Sequence, residues 1–163
     1  DAMRMELIGE LAGEILIGES SELYQKLYDE NVIDADFSVD YERMKGMALL
    51  ELSGDSEDPR RILREVLAEA ARVLETGVDR ALLARLKKSV TGRRLRGLDG
   101  FEGTCYRMCA YYFDGAEYFD YPEIYASVTA EDVEQFIREN VKEELAFVSV
   151  IRPKREKEEK SCC

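Results

Sequence analysis

Cys105 and Cys109 stand four residues apart, one helical turn, and so project on one face. Such a pair can act as soft metal ligands or as a thiol couple. A metal site needs two further ligands, and imidazole cannot supply them, because the 163 residues include no histidine. The same absence removes Ser-His-Asp and Cys-His nucleophilic catalysis. Cys162 and Cys163 follow a charged run and would join a site only by folding back. The favoured reading of Cys105 and Cys109 is therefore small apolar residues in a helix interface. A thiol-dependent enzyme built on either is the outlying alternative. Four cysteines in this length do not make a disulfide framework, and the usage points to a reducing cytoplasm.

Two other constellations carry possible chemistry. Arg80, Arg85, Lys87, Lys88, Arg93, Arg94 and Arg96 follow one another with no acid between them, in a chain with 23 basic residues. They fit a contact surface for an acidic domain or a chamber wall for acidic peptide; the favoured alternative is a solvated helix face. Six of the nine tyrosines lie between Tyr106 and Tyr125. Consecutive helical residues diverge by about 100°, so Tyr111, Tyr112 and Phe113 cannot all be buried on one face. With Tyr118 and Phe119 they are candidates for an aromatic contact strip, or for ordinary helix-on-sheet packing. Paired acids such as Glu57-Asp58 and Glu143-Glu144 sit at element ends and read as caps rather than an acid/base pair.

The formal net charge is −12, with 45% apolar and 36% charged residues. That composition is globular, and its sign argues against nucleic acid and anionic membrane as partners. No apolar run approaches the roughly 20 residues needed to span a bilayer.

The elements that must position these groups can be read from periodicity and caps. Met3, Leu7, Leu11 and Ile15 predict an amphipathic helix to Gly18, with Glu6, Glu10 and Glu14 between them. Gly9 and Gly13 in that helix imply close packing. Ser20 and Ser21 are N-cap candidates for a helix to about Asn31. Strands are predicted at 37–43 and 46–53 around a Lys45-Gly46 turn, the second buried on both faces. Asp58-Pro59 starts a long helix that Gly77 breaks, and Asp79 starts the next. A helix from Phe101 to Asp114, a short turn or helix opened by Tyr121-Pro122 and ending at Val128, and a Thr129-capped helix follow. Leu145 to Ile151 is predicted as an interior strand, and 154–163 as a charged, disordered tail. The expected fold class is α+β: a mainly antiparallel sheet of strands 37–43, 46–53 and 145–151, with helices on one face. Three strands are few for this much helix. The chain begins at Asp1 directly in a helical pattern, so 1–153 reads as one domain of a longer protein, with an exposed sheet edge that invites pairing with another copy.

The run Ile15-Leu16-Ile17-Gly18-Glu19-Ser20-Ser21-Glu22-Leu23-Tyr24-Gln25-Lys26-Leu27 resembles a segment of the pitrilysin/insulinase-type zinc peptidases. Asp58-Pro59, Lys87-Lys88 with Gly92, Tyr112-Phe113-Asp114-Gly115, Phe119-Asp120-Tyr121, Val128 to Val133 and Ile151-Arg152-Pro153 continue in the family's order. The resemblance covers about residues 3–153 and is nearest the bacterial, processing-protease-like branch. It implies the non-catalytic C-terminal domain of such a peptidase, closing half of a chamber over peptide substrate and packing on the catalytic domain of the same parent chain or of a homologous partner chain. It places zinc in the parent's N-terminal domain, on a His-x-x-Glu-His motif that this chain lacks, so no catalytic or metal residue is carried over. The family's substrate-binding Arg and Tyr have no counterpart: the strand carries Met47, Ala48 and Leu49, and no Tyr occurs between Tyr41 and Tyr106. A non-proteolytic scaffold or assembly subunit of the same fold is the alternative.

Overall fold

The computed structural model describes residues 2–44 and 46–152. The expected tail at 154–163, with Cys162 and Cys163, lies outside the described residues.

Local capping chemistry sets most boundaries. Helix α1 spans Ala2–Ile17 and α2 spans Glu22–Asp29, the latter started by Ser21, whose hydroxyl accepts from the Tyr24 amide at 3.1 Å. Strands β1 (Ser38–Met44) and β2 (Met47–Ser53) form an antiparallel hairpin with Tyr41 opposite Leu50 and Val39 opposite Leu52. Helix α3 (Pro59–Thr76) has Pro in its first turn, where the missing N–H costs nothing, and Asp58 as N-cap. Gly77, at φ 81°, ends it. The Asp79 carboxylate accepts from the Ala81 amide at 2.7 Å and starts α4 (Arg80–Gly97). Helix α5 (Phe101–Phe113) leads through a 3-10 turn at Tyr118–Asp120 to α6 (Tyr121–Ser127). Helix α7 (Ala130–Asn140) opens with a reciprocal capping box between Thr129 and Asp132.

Helix α1 is the centre of the molecule. Ten of its sixteen residues are buried, as expected of a helix covered on several sides rather than one. It touches β1, α4, α6 and α7. The hairpin lies directly on it because Gly9 and Gly13 have no side chain. A Cβ on Gly9 would come within 2.6 Å of the Tyr41 ring, and one on Gly13 within 2.8 Å of Val39 Cγ2. The close packing read from the two glycines is real, and its partner is a strand. A second cluster, around Leu23, Leu27, Ile33, Phe37, Ile62 and Val66, joins α2 and α3 under the other end of the hairpin.

The architecture is α+β with an antiparallel sheet and helices on one face, and it differs from expectation in three places. The sheet has two strands among the described residues. Leu145 to Ile151 is not a strand of it: Glu143–Leu145 is a 3-10 turn, and the chain then runs on without a ladder partner, with Phe147 75% and Ile151 97% exposed. The apolar pattern records a segment suited to a sheet interior, but a strand exists only where a neighbour takes its N–H and C=O groups. For the same reason β2 is not buried on both faces. Leu50 and Leu52 turn inward, while Leu49, Glu51 and Ser53 lie on the other face, where Leu49 is half-buried and Glu51 and Ser53 are exposed. Cys105 and Cys109 are not packed in a helix interface here: Cys105 is half-buried and Cys109 exposed.

Candidate functional site: a charged cleft between helix α1, strand β1 and helix α4

Glu6, Glu10 and Glu14 repeat every four residues and so form one stripe along α1. Arg93 and Arg94, near the end of α4, meet that stripe. The Arg94 guanidinium donates from Nη2 to Glu10 Oε2 at 3.0 Å and Glu6 Oε1 at 3.2 Å, from Nε to the Tyr125 hydroxyl at 3.2 Å and from Nη1 to the Tyr111 hydroxyl at 3.3 Å. The two phenols in turn donate to the same carboxylates, Tyr111 to Glu6 and Tyr125 to Glu10. The guanidinium also lies over the Tyr121 and Tyr125 rings, at 5.8 and 5.7 Å. Arg93 bridges Glu10 and Glu14 at the more open end.

The electrostatics follow from burial. Desolvation works against the charge of Arg94, but Tyr125, Glu10 and Tyr111 outweigh it and its pKa rises. Burial, and then donation to Glu6, push the Tyr111 phenol up to about 12. Burial, and then Glu10, push Tyr125 further in the same direction. All three stay protonated at neutral pH. None of these three is poised to exchange a proton near pH 7; they act as a fixed charge and two fixed dipoles.

Glu6, Glu10, Glu14, Arg93 and Arg94 line one side of a cleft of about 560 Å³. The opposite wall is β1, from Ser38 to Tyr41. From sequence, the basic residues of Arg80 to Arg96 read as a solvated helix face. Arg85, Lys88 and Arg96 are exposed, as is Arg80, which pairs with Glu131 at 3.0 Å. Lys87 instead caps the end of α6, donating to the carbonyls of Ala126 and Val128. The (i, i+4) repeat of the three Glu was the one local signal that this face needed a cationic partner.

The aromatic candidates divide. Tyr111 and Tyr118 are buried, their rings tilted by 32° with centroids 5.4 Å apart. Tyr112, Phe113 and Phe119 are exposed, at 76%, 84% and 48%. Tyr112, Phe113, Met108 and Cys109 of α5 border a second, shallower groove of about 270 Å³. Among the described residues no three Cys, Asp or Glu gather in a way that could hold a metal ion.

With helices packed under an antiparallel hairpin in this element order, the domain has the fold of the M16, or pitrilysin-type, peptidases. An M16-like peptidase structure from Alicyclobacillus acidocaldarius matches 84% of this chain with a TM-score of 0.77 at 23% identity, over 33% of its own length. A protease from Helicobacter pylori matches 83% of the chain, at TM-score 0.62 and 15% identity, over 34% of its length. A zinc protease from Bordetella pertussis Tohama I matches 86%, at 0.62 and 15%, over 81% of its length. In sequence the chain is 28% identical over 155 residues to the uncharacterized zinc protease YmfH of Bacillus subtilis (strain 168), covering 94% of this chain and 36% of YmfH. No protein-family model matches. The chain shares the fold of these structures and is similar in sequence to YmfH, and it spans about a third of the length of YmfH and of the Alicyclobacillus chain.

Proposed function

We propose that this chain is the non-catalytic C-terminal domain of a zinc-dependent metallopeptidase. In this reading residues 1–153 form one domain that builds half of the peptide-binding chamber and packs on the catalytic domain, of the same parent or of a homologous partner chain. The carrying observation is similarity to a zinc protease along 94% of the chain, joined to a sequence with no histidine. Zinc would be held in the parent's N-terminal domain, which also supplies the general base. The exposed rings of Tyr112, Phe113 and Phe119 support a packing surface, because large apolar side chains gather at interfaces. The acidic charge supports peptide rather than nucleic acid or membrane as the partner in the full protein. A cytoplasmic location is supported by the cysteine usage, and no helix among the described residues is long and apolar enough to cross a membrane.

The test is peptide cleavage by the purified chain, with and without added zinc, together with the upstream reading frame of the gene. The reading expects no cleavage, and a His-x-x-Glu-His motif upstream. Chelator-sensitive cleavage by the chain alone would overturn it. An upstream frame without the motif would turn the reading to a scaffold subunit of the same fold.

A further inference from the structure

We infer that α5 is the seam of a dimer, in which two copies of this chain pack their α5 helices antiparallel about a twofold axis. The inference does not rest on the peptidase reading.

One side of α5 is tied to the body of the domain. Thr104, Arg107 and Tyr111 stand at helical spacings of three and four and so share that side. Thr104 and Arg107 donate to the Gly97 carbonyl at 3.3 and 3.0 Å, and Tyr111 donates to Glu6. Phe101, Cys105, Cys109 and Phe113 repeat every four residues and form one ridge turned away from it. Phe101 at the start of the ridge is 83% exposed and Phe113 at its end 84%.

That ridge is complementary to itself. Counted outward from Arg107, a Cys stands two positions away and a Phe six positions away in both directions. A twofold axis at the height of Arg107 therefore sets Phe101 of one copy level with Phe113 of the other, and Cys105 level with Cys109. The thiols are small and apolar, so the helices can approach closely at the middle, while the rings close both ends. Glu102, the one acid in α5, comes level with Tyr112 rather than with a second carboxylate.

A knob and its hole lie at opposite ends of the same helix. Cys109, Tyr112 and Phe113 border the groove of about 270 Å³ at the C-terminal end. The Phe101 ring projects at the N-terminal end. Antiparallel packing brings Phe101 of each copy to the groove of the other, so a single contact is made twice.

A second copy is the occupant that this symmetry specifies, and the area suffices. The outward rings of Phe101, Tyr112 and Phe113 offer roughly 500 Å² per copy, at the roughly 200 Å² an aromatic side chain carries. Met108 and Cys109 add to it, so two copies clear the roughly 1,000 Å² that a specific interface buries. Charge favours the same place. A net charge of −12 repels one copy from another over most of the surface, whereas α5 carries one acid and one base.

Sedimentation velocity on the full chain, beside Phe101→Glu and Phe113→Lys variants, tests this. Both positions are more than four-fifths exposed, so helix content should not change. The parent chain should be a dimer, and each variant alone should dimerise at least about tenfold more weakly. Mixed in equal amounts, the two variants should dimerise again, because the register sets the new acid of one copy against the new base of the other. In a Cys162→Ser, Cys163→Ser chain, alkylation of Cys109 should slow as protein concentration rises. A monomeric parent chain overturns the proposal, as does a dimer that both single variants leave intact. A mixture that stays monomeric overturns it too, since it denies the antiparallel register, and so does alkylation of Cys109 at one rate at every concentration.

Discussion

Arg94 reaches Glu10 at 3.0 Å across 84 residues of sequence. The contact ties the end of α4 to the central helix, and two tyrosines from later elements close on it. A guanidinium with four acceptors in fixed positions is preorganised, and losing it leaves the two carboxylates without their counter-charge and the two phenol oxygens without the N–H groups they accept.

Arg94→Met should therefore destabilise the domain by about 3 kcal/mol, at the low end for breaking a buried pair, since the side chain keeps 15% of its exposure. Arg80→Ala, whose ion pair with Glu131 is open to solvent, should change stability by less than about 1 kcal/mol. Urea unfolding followed by circular dichroism measures both. Equal losses would mean that the Arg94 network is no more than surface charge.

Two glycine substitutions should have opposite signs. Gly9→Ala places a Cβ 2.6 Å from the Tyr41 ring and should cost about 1–3 kcal/mol as hairpin and helix are forced apart. Gly92→Ala, inside α4 with only Arg96 Nη1 near at 3.9 Å, should stabilise by about 0.5–1 kcal/mol through helix propensity. Thermal melts of the two variants against the parent chain decide the signs.

The outer face of the hairpin sets Asp40 opposite Glu51. Like charges in direct register oppose pairing. Glu51→Lys should stabilise the hairpin by about 0.5 kcal/mol, and the gain should shrink in high salt. Salt-independent stabilisation would point to a cause other than this pair.

Alkaline unfolding should follow the buried phenols. Tyr111, held up at about 12, and Tyr125, raised further, both keep their protons more tightly in the folded chain than at the ordinary value of 10.0. Their contribution to stability is whole below pH 10 and is lost as pH rises from there through about 12. Phenolate absorbance and the helical signal, titrated together, should show part of the absorbance appearing only as helix is lost. Complete tyrosine ionisation with the helices intact would contradict the buried network.

Alkylation of a Cys162→Ser, Cys163→Ser chain should modify Cys109 before Cys105, because Cys109 is exposed and Cys105 half-covered. Peptide mass mapping over time gives the order. Preferential reaction at Cys105 would mean that α5 packs differently.

Much of this protein was decided within short stretches of sequence. Ser21, Asp58-Pro59, Gly77, Asp79 and the Thr129–Asp132 box start and stop helices where they stand, because a cap satisfies amides two or three residues away and needs nothing distant. The absence of histidine by itself removes imidazole as a catalytic base or metal ligand within these 163 residues. The fate of Tyr111 to Phe113 was half legible: helical geometry required the rings to diverge, but not which of them would turn inward. Tertiary structure alone chose Tyr111, because its hydroxyl meets Glu6, 105 residues away. It likewise set Arg93 and Arg94, whose basic neighbours read as a solvated helix face, against Glu6, Glu10 and Glu14. It also left Phe147 to Ile151 without the sheet for which their pattern is suited. Caps and periodicity act over one or two turns, whereas an ion pair or a strand ladder exists only when a distant segment arrives to complete it.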